Sequence, residues 1–145
     1  MCIRDSANTG NDYVVIVRAT DSASNTFDQT VTVSVTDLDD TNPLITGNNG
    51  GAGSSTSSVS VNENQTTVHT FTTNETVTWS LNGGADASKF SINSSTGALS
   101  FSSAPDFENP SDANSGNDYV VIVRATDSAS NTSDQTVTVL SLIHI

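Results

Sequence analysis

The chain has 145 residues and a net charge of −12, with sixteen acidic against four basic side chains. This charge excludes nucleic-acid binding, because a protein that binds the phosphate backbone needs Lys and Arg to neutralise it. No apolar run approaches the ~20 residues of a membrane helix, and the abundance of β-branched residues beside few strong helix formers favours strands.

A repeat dominates the sequence. Residues 7–33 and 113–139 align at an offset of 106 (113 minus 7) and differ only at Thr9/Ser115 and Phe27/Ser133. Outside this window the identity stops abruptly at both ends. Near-identical copies predict a tandem array of modules in which each module contacts its neighbours.

The two chain ends interrupt this repeat. MCIRDS occupies 1–6 and LSLIHI occupies 140–145, and neither hexapeptide matches the other copy at any position. A single DNA string read on its two strands can encode both hexapeptides, and that string resembles the transposon end used to prepare sequencing libraries. We interpret both segments as non-native scars and exclude them from the fold prediction; the alternative is a native apolar strand at the C-terminus.

Short alternating segments follow along the chain, each bounded by Gly, Asn, Asp or Ser. Residues 7–43 carry the last two strands of the repeat, at 12–19 and 27–36, and are predicted to be the tail of a preceding module. Residues 44–58 are rich in Gly and Ser and predict a flexible spacer. The full module is predicted to have seven strands, at 59–61, 67–73, 76–81, 89–92, 97–101, 118–126 and 134–139.

Seven strands with regular turns and no helix signal predict an all-β fold, a seven-stranded antiparallel Greek-key sandwich that spans 59–139 and lacks the end of its last strand. Trp79 is expected in the core, and Gly97 is expected at positive φ in a turn. Two strands cannot bury their inner faces alone, so 7–43 is expected to be poorly ordered or to pair opportunistically.

Many acidic residues lie at strand ends. Glu63 follows the first strand of the full module, and Asp106 and Glu108 lie in the loop PDFEN. Asp127 and its counterpart Asp21 end the two strands that read RATD. Three more acids follow a strand in TDLDDTNP, namely Asp37, Asp39 and Asp40. Such oxygen ligands suit Ca²⁺, which takes six to eight of them and relieves the repulsion between neighbouring carboxylates.

This pattern resembles a cadherin repeat, particularly the cadherin-like modules of large bacterial surface and secreted proteins, over nearly all of 7–139. In that family a Glu after the first strand, a D-x-E loop, an A-x-D strand end and a D-x-N-D-N-x-P linker bind calcium between successive domains. The resemblance implies Ca²⁺ as the cofactor, with ligands at Glu63, Asp106, Glu108, Asp127, Asp21, Asp37, Asp39 and Asp40.

Two features depart from the family pattern. Its D-x-D loop is missing, since the region reads TTNETVTW and offers only Asn74 and Glu75, and the Gly/Ser spacer is longer than a direct junction needs. In the family, one site takes its Glu and D-x-E from the module before the linker and its A-x-D and D-x-D from the module after it. The chain is therefore predicted to hold two half-sites and no complete site.

The resemblance implies a calcium-binding repeat of a surface or secreted adhesin, extracellular and not an enzyme, which mediates adhesion and acts as a spacer that calcium makes rigid. Its expected partners are neighbouring repeats of the same chain and homophilic or other cell-surface partners, without membrane insertion of this segment. Two alternatives stay open: a calcium-independent Ig-like stalk module, and an accessory module of an extracellular enzyme.

No catalytic site is predicted. His69 lies in the middle of a predicted strand and is given a structural role rather than a catalytic one. Asp106 and Glu108 do not form a glycosidase pair, because residues two apart in one loop cannot flank a substrate from opposite sides. Asp is a preferred turn former, so the other aspartates are interpreted as solvated turn residues: Asp12, Asp28, Asp86, Asp112, Asp118 and Asp134.

Overall fold

The structure, a computed structural model, describes residues 12–144. They belong to two compact units whose boundary falls between Asp39 and Asp40. The first unit contains an antiparallel hairpin of β1 (Asp12–Thr20) and β2 (Thr26–Ser34). Every residue of β2, and every residue of β1 after Asp12, is exposed to solvent.

The second unit is a two-layered β-sandwich. One layer has the strand order β4-β11-β10-β7, and the other contains β5-β9-β8, with β3 and β6 as a further short pair. Residues 12–144 contain no helix that is long and apolar enough to span a membrane. The bounds are β3 (Ile45–Thr46), β4 (Thr56–Asn62), β5 (Thr67–Thr70), β6 (Thr72–Thr73), β7 (Thr78–Leu81), a 3₁₀ turn (Ala87–Lys89), β8 (Phe90–Ile92), β9 (Ala98–Phe101), β10 (Asp118–Thr126) and β11 (Thr132–Leu142).

The core follows from the alternation of apolar and polar residues along β10 and β11. Alternate residues of a strand point to opposite faces, so one face of this pair is fully buried: Tyr119, Val121, Val123, Ala125, Val137 and Val139. The opposing layer contributes Phe71, Phe90, Leu99 and Phe101 to the same cluster. Trp79 is 5% exposed, which confirms its predicted place in the core. The predicted all-β sandwich is confirmed.

One strand pair is parallel, which the antiparallel prediction did not include. β4 runs parallel to β11, with Val59 opposite Val139 and Asn62 opposite Leu142. Both strands therefore end at the same end of the sandwich. This register decides which residues meet there.

Residues 44–58 were predicted to be a spacer, whereas the structure places them in the second unit. Ile45 is 1% exposed and belongs to the core, and β3 pairs with β6. The buried side chain of Gln135 fixes the following loop, because its Nε2 donates to the Ser54 carbonyl oxygen at 2.7 Å and its Oε1 accepts from Ser57 Oγ at 2.9 Å. Gly and Ser allow the close contacts that this loop makes, so the composition of a flexible linker here forms packed structure.

The last strand was predicted to break off at Val139, but β11 continues to Leu142 on backbone pairing with β4. In this extension the polar residue lies at the buried position and the two apolar residues lie at exposed positions. Ser141 is 2% exposed and its Oγ has no hydrogen-bond partner, while Leu140 and Leu142 are 41% and 43% exposed. The first copy has Val35 at the position that corresponds to Ser141, with polar neighbours. A polar side chain therefore occupies a core position of this strand.

The interpretation of Asp86 and Asp112 as solvated turn residues was wrong. Asp86 is 3% and Asp112 is 6% exposed. The Asp86 carboxylate accepts hydrogen bonds from the backbone N–H groups of Ala113 at 2.7 Å and Val120 at 2.8 Å. A buried carboxylate needs such donors, and here the loop before β10 supplies them. Asp86 thereby anchors that loop to the 3₁₀ turn.

Candidate metal centre

Glu63 lies where β4 and β11 end side by side. Its backbone N–H donates to the Leu142 carbonyl oxygen at 2.8 Å, which extends the parallel ladder by one step. Its side chain is buried and is held by two backbone donors: His144 N–H to Oε1 at 2.9 Å and Phe107 N–H to Oε2 at 3.1 Å. The carboxylate is therefore fixed between the chain end and the loop that follows β9.

That loop contributes two further carboxylates. Asp106 Oδ1 accepts the backbone N–H groups of Glu108 at 3.1 Å and Asn109 at 3.2 Å, an Asx turn that shapes the loop. The backbone N–H of Asn64 donates to the Pro105 carbonyl oxygen at 3.0 Å and binds the loop to the residue after Glu63. As a result, one oxygen from each of Glu63, Asp106 and Glu108 lies within 4.8 Å of the others.

The donor set consists of carboxylate oxygens. Hydrogen bonds from the His144 and Phe107 backbone lower the pKa of Glu63 and outweigh the opposing effect of burial, so the charged form is favoured. Three carboxylates at this distance repel one another without a cation. Hard cations such as Ca²⁺ bind several oxygen ligands at once, whereas Zn²⁺ prefers nitrogen and sulfur ligands. These residues fit one side of a calcium site.

Asp127 lies at the opposite end of the sandwich, in the turn between β10 and β11. Asn131 donates to it twice, from its backbone N–H to Oδ1 and from Nδ2 to Oδ2, both at 2.8 Å. Burial acts to raise the pKa of Asp127, but the hydrogen bonds from Asn131, Ala129 and Ser130 together lower it. An oxygen of Glu75 lies within 4.8 Å of an Asp127 oxygen. Glu75 therefore brings a carboxylate to the region in which the D-x-D loop was expected.

The other predicted ligands are exposed and are distributed between the two units. Asp21 forms the turn between β1 and β2, where its Oδ1 accepts the backbone N–H groups of Ala23 and Asn25 at 2.9 Å. Asp37 and Asp39 follow β2 in the first unit, and Asp40 begins the second unit.

Asn117 supports the loop of Asp106, and nothing in the sequence singled it out. Its side-chain Nδ2 donates to the Phe107 carbonyl oxygen at 3.1 Å, and its backbone carbonyl oxygen accepts the Ser141 N–H at 2.9 Å. Its φ of 64° is a left-handed conformation, which Asn tolerates better than most residues. Asn117 therefore links the loop to β11.

Comparison with known proteins gives no match to a family model or to a curated protein. Solved structures do match. The crystal structure of the Protocadherin GammaB4 extracellular domain has a TM-score of 0.63 at 17% identity, over 94% of this chain and 26% of that one. The Protocadherin gammaB7 EC3-6 cis-dimer structure has 0.58 at 20% identity, over 92% and 34%. The human CDH23 EC21-23 structure has 0.57 at 17% identity, over 91% and 44%. The fold is cadherin-like.

The chain spans less than half the length of each of these structures, and the likeness at such identity is one of fold. The cadherin-like fold places Glu63 and the loop of Asp106 at one end of the sandwich and Asp127 at the other. Each end therefore presents carboxylates to whatever segment of chain adjoins it.

Proposed function

We propose that the chain is a calcium-binding repeat of a surface or secreted adhesin and that Ca²⁺ stiffens the junctions between successive repeats. The observation that carries the proposal is the convergence of Glu63 with Asp106 and Glu108. Two segments far apart in sequence are folded so that three carboxylates meet, and backbone donors hold the most buried of them in its charged form.

The proposal includes an incomplete site. Ca²⁺ takes six to eight oxygens, and three carboxylates supply at most six. The carboxylates of Glu63 and Asp106 also accept hydrogen bonds from backbone N–H groups. The segment that adjoins the cluster is Ile143–His144, which brings no carboxylate. In the first copy the position of Ile143 is held by Asp37. We infer that an acidic linker after β11, of the kind that follows β2 at 34–40, would complete the site.

The role of the module follows from sites at both ends. Cations shared between neighbouring repeats convert a flexible string into a stiff array. In this proposal the partners are neighbouring repeats of the same chain, and the assembled array is extracellular and adhesive, with homophilic or other cell-surface contacts.

Thermal unfolding with excess CaCl₂ and with EGTA tests the proposal. A ligand that binds only the folded state raises stability, so Ca²⁺ should raise the Tm of the chain modestly. The double variant Asp106→Asn/Glu108→Gln should lose that rise. The double variant Asp12→Asn/Asp28→Asn removes the same charge from the first unit and should keep it.

The two variants separate specific binding from bulk charge screening. Equal loss of the Ca²⁺ response in both would show that only net charge matters. If a chain with a restored linker also shows no Ca²⁺ response, the calcium-independent stalk module is the better reading.

A further inference from the structure

The two hairpins of the chain share one internal geometry. β1 and β2 pair in the same register as β10 and β11 at the offset of 106 residues. The turn of Asp21 and Asn25 repeats that of Asp127 and Asn131, and the two-point contact of Arg18 with Asp28 repeats that of Arg124 with Asp134. The first hairpin is therefore a preformed copy of the second.

Their surroundings differ completely. Val123 is 0% exposed in the second hairpin, whereas its counterpart Val17 is 53% exposed; Tyr119 is 1% exposed and Tyr13 is 54% exposed. The same apolar face is thus sealed in one copy and open to water in the other. Exposed apolar strands of this kind are prone to pair with further chains.

The second hairpin shows what covers such a face. β10 pairs with β7 along one edge, β11 pairs with β4 along the other, and the opposing layer contributes Phe71, Leu99 and Phe101. We define the acceptor as the segment 43–101, which supplies all of these contacts. The acceptor is complementary to a hairpin sequence that occurs twice in the chain.

We propose that β1–β2 of one copy of this chain docks on the acceptor of a second copy, in the place of β10–β11. Exchange of an identical element between protomers is a low-cost route to oligomers. Because the element occurs twice here, each exchange releases the second copy's own hairpin, which becomes available to a further copy. The product is an open chain of linked copies.

The connection to the acceptor favours a second copy over the hairpin's own chain. In the docked position Thr36 takes the place of Leu142 beside Asn62, at the end of the sandwich opposite Asp127. Leu44 is anchored at the Asp127 end, because its N–H donates to Asn74 Oδ1 at 2.7 Å and the adjacent Glu75 lies near Asp127. β11 (Thr132–Leu142) covers about 33 Å between these ends at ~3.3 Å per residue, whereas residues 36–43 span at most about 25 Å, which is too short for the hairpin to dock on its own chain.

The end of the strand favours exchange. In the docked position Val35 takes the place of Ser141, whose buried Oγ lacks a hydrogen-bond partner. Ser34 and Thr36 take the exposed positions of Leu140 and Leu142. The first hairpin therefore fits the end of the acceptor better than the hairpin that occupies it.

Disulfide trapping in the full chain tests the proposal. Thr78 of β7 pairs with Thr126, whose counterpart in the first hairpin is Thr20. Directly paired antiparallel residues have Cα atoms about 4.5–5.5 Å apart, within disulfide range. In a Cys2→Ser background and in EGTA, Thr78→Cys/Thr20→Cys is compared with Thr78→Cys/Thr126→Cys as the positive control. Thr78→Cys/Asp12→Cys, at the other end of β1, is the off-register control.

The expected result for Thr78→Cys/Thr20→Cys is a disulfide-linked dimer whose yield rises with protein concentration and exceeds that of the off-register pair. Adding Ser141→Val should reduce this yield roughly tenfold or more, because the resident hairpin then fills its own core position. A yield no higher than the off-register pair, a disulfide within one chain, or no effect of Ser141→Val would each overturn the proposal.

Discussion

Val123→Ala and Val17→Ala make the same change in two hairpins of nearly identical sequence. Val123 is 0% exposed in the core and Val17 is 53% exposed. Removing two buried methyl groups costs about 0.8 kcal/mol for each, and the remaining cavity adds to this, so Val123→Ala should lower the free energy of unfolding by roughly 2–3 kcal/mol. Val17→Ala should change it by less than about 0.5 kcal/mol.

Trp79 gives the assay, because it is the only Trp of the chain and is 5% exposed in the core. Urea melts followed by its fluorescence, at low micromolar protein and in EGTA, report the second unit alone. For a unit of this size the loss in Val123→Ala corresponds to a Tm lower by roughly 10–20 °C. Equal destabilisation by both variants would refute the reasoning, because the first hairpin would then share the core that Trp79 reports.

Three further perturbations probe β11, the carboxylate cluster and the turn between β8 and β9 that contains Gly97. Ser141→Val should raise the free energy of unfolding by about 2 kcal/mol in urea melts, since it buries a valine and removes an unpaired hydroxyl, while Leu140→Ser at an exposed position should be near neutral. The pKa of Glu63 is lowered, so its charge stabilises the fold at neutral pH, and that contribution is lost as the pH falls below the ordinary range of a glutamate. In EGTA, the free energy of unfolding should therefore fall less steeply with acid in Glu63→Gln than in the parent chain, and equal slopes would contradict this. Gly97→Ala should cost about 2 kcal/mol or more, because φ is +71° and a Cβ would lie 2.8 Å from the Phe71 carbonyl oxygen; Gly51→Ala, where a Cβ meets nothing within 4 Å, is the control in the same melts.

The strands were predictable wherever alternation was regular. β10 has the predicted bounds 118–126, and the positive φ of Gly97 is confirmed. The segment at 44–58 was misjudged because Leu44 and Ile45 are only a short apolar pair before a run rich in Gly and Ser, and the strand that contains Ile45 pairs with Thr73, 28 positions further along the chain. Parallel pairing of β4 with β11 had no local signal either, since periodicity shows which face is apolar and not which strand lies beside it.

Part of the candidate site could be predicted from the sequence. Glu63, Asp106 and Glu108 stood out because they follow strands, and the fold brings those strand ends together. Asn117 and the backbone donors of Phe107 and His144 could not be foreseen, because their roles depend on tertiary hydrogen bonds rather than on residue type. The same limit explains Asp86, a buried anchor whose sequence context is that of an ordinary turn.

Calcium titration of a chain with a restored linker tests the central claim most directly. Residues 140–145 would be replaced by SVTDLD, as in 34–39, and followed by DTNP, while a matched chain would carry SVTNLN and NTNP. Calorimetry should show Ca²⁺ binding at least about tenfold tighter to the acidic linker than to the amide version or to the parent chain, a difference of about 1.4 kcal/mol. Equal affinity in all three chains would contradict the claim that Glu63, Asp106 and Glu108 form half of a calcium site.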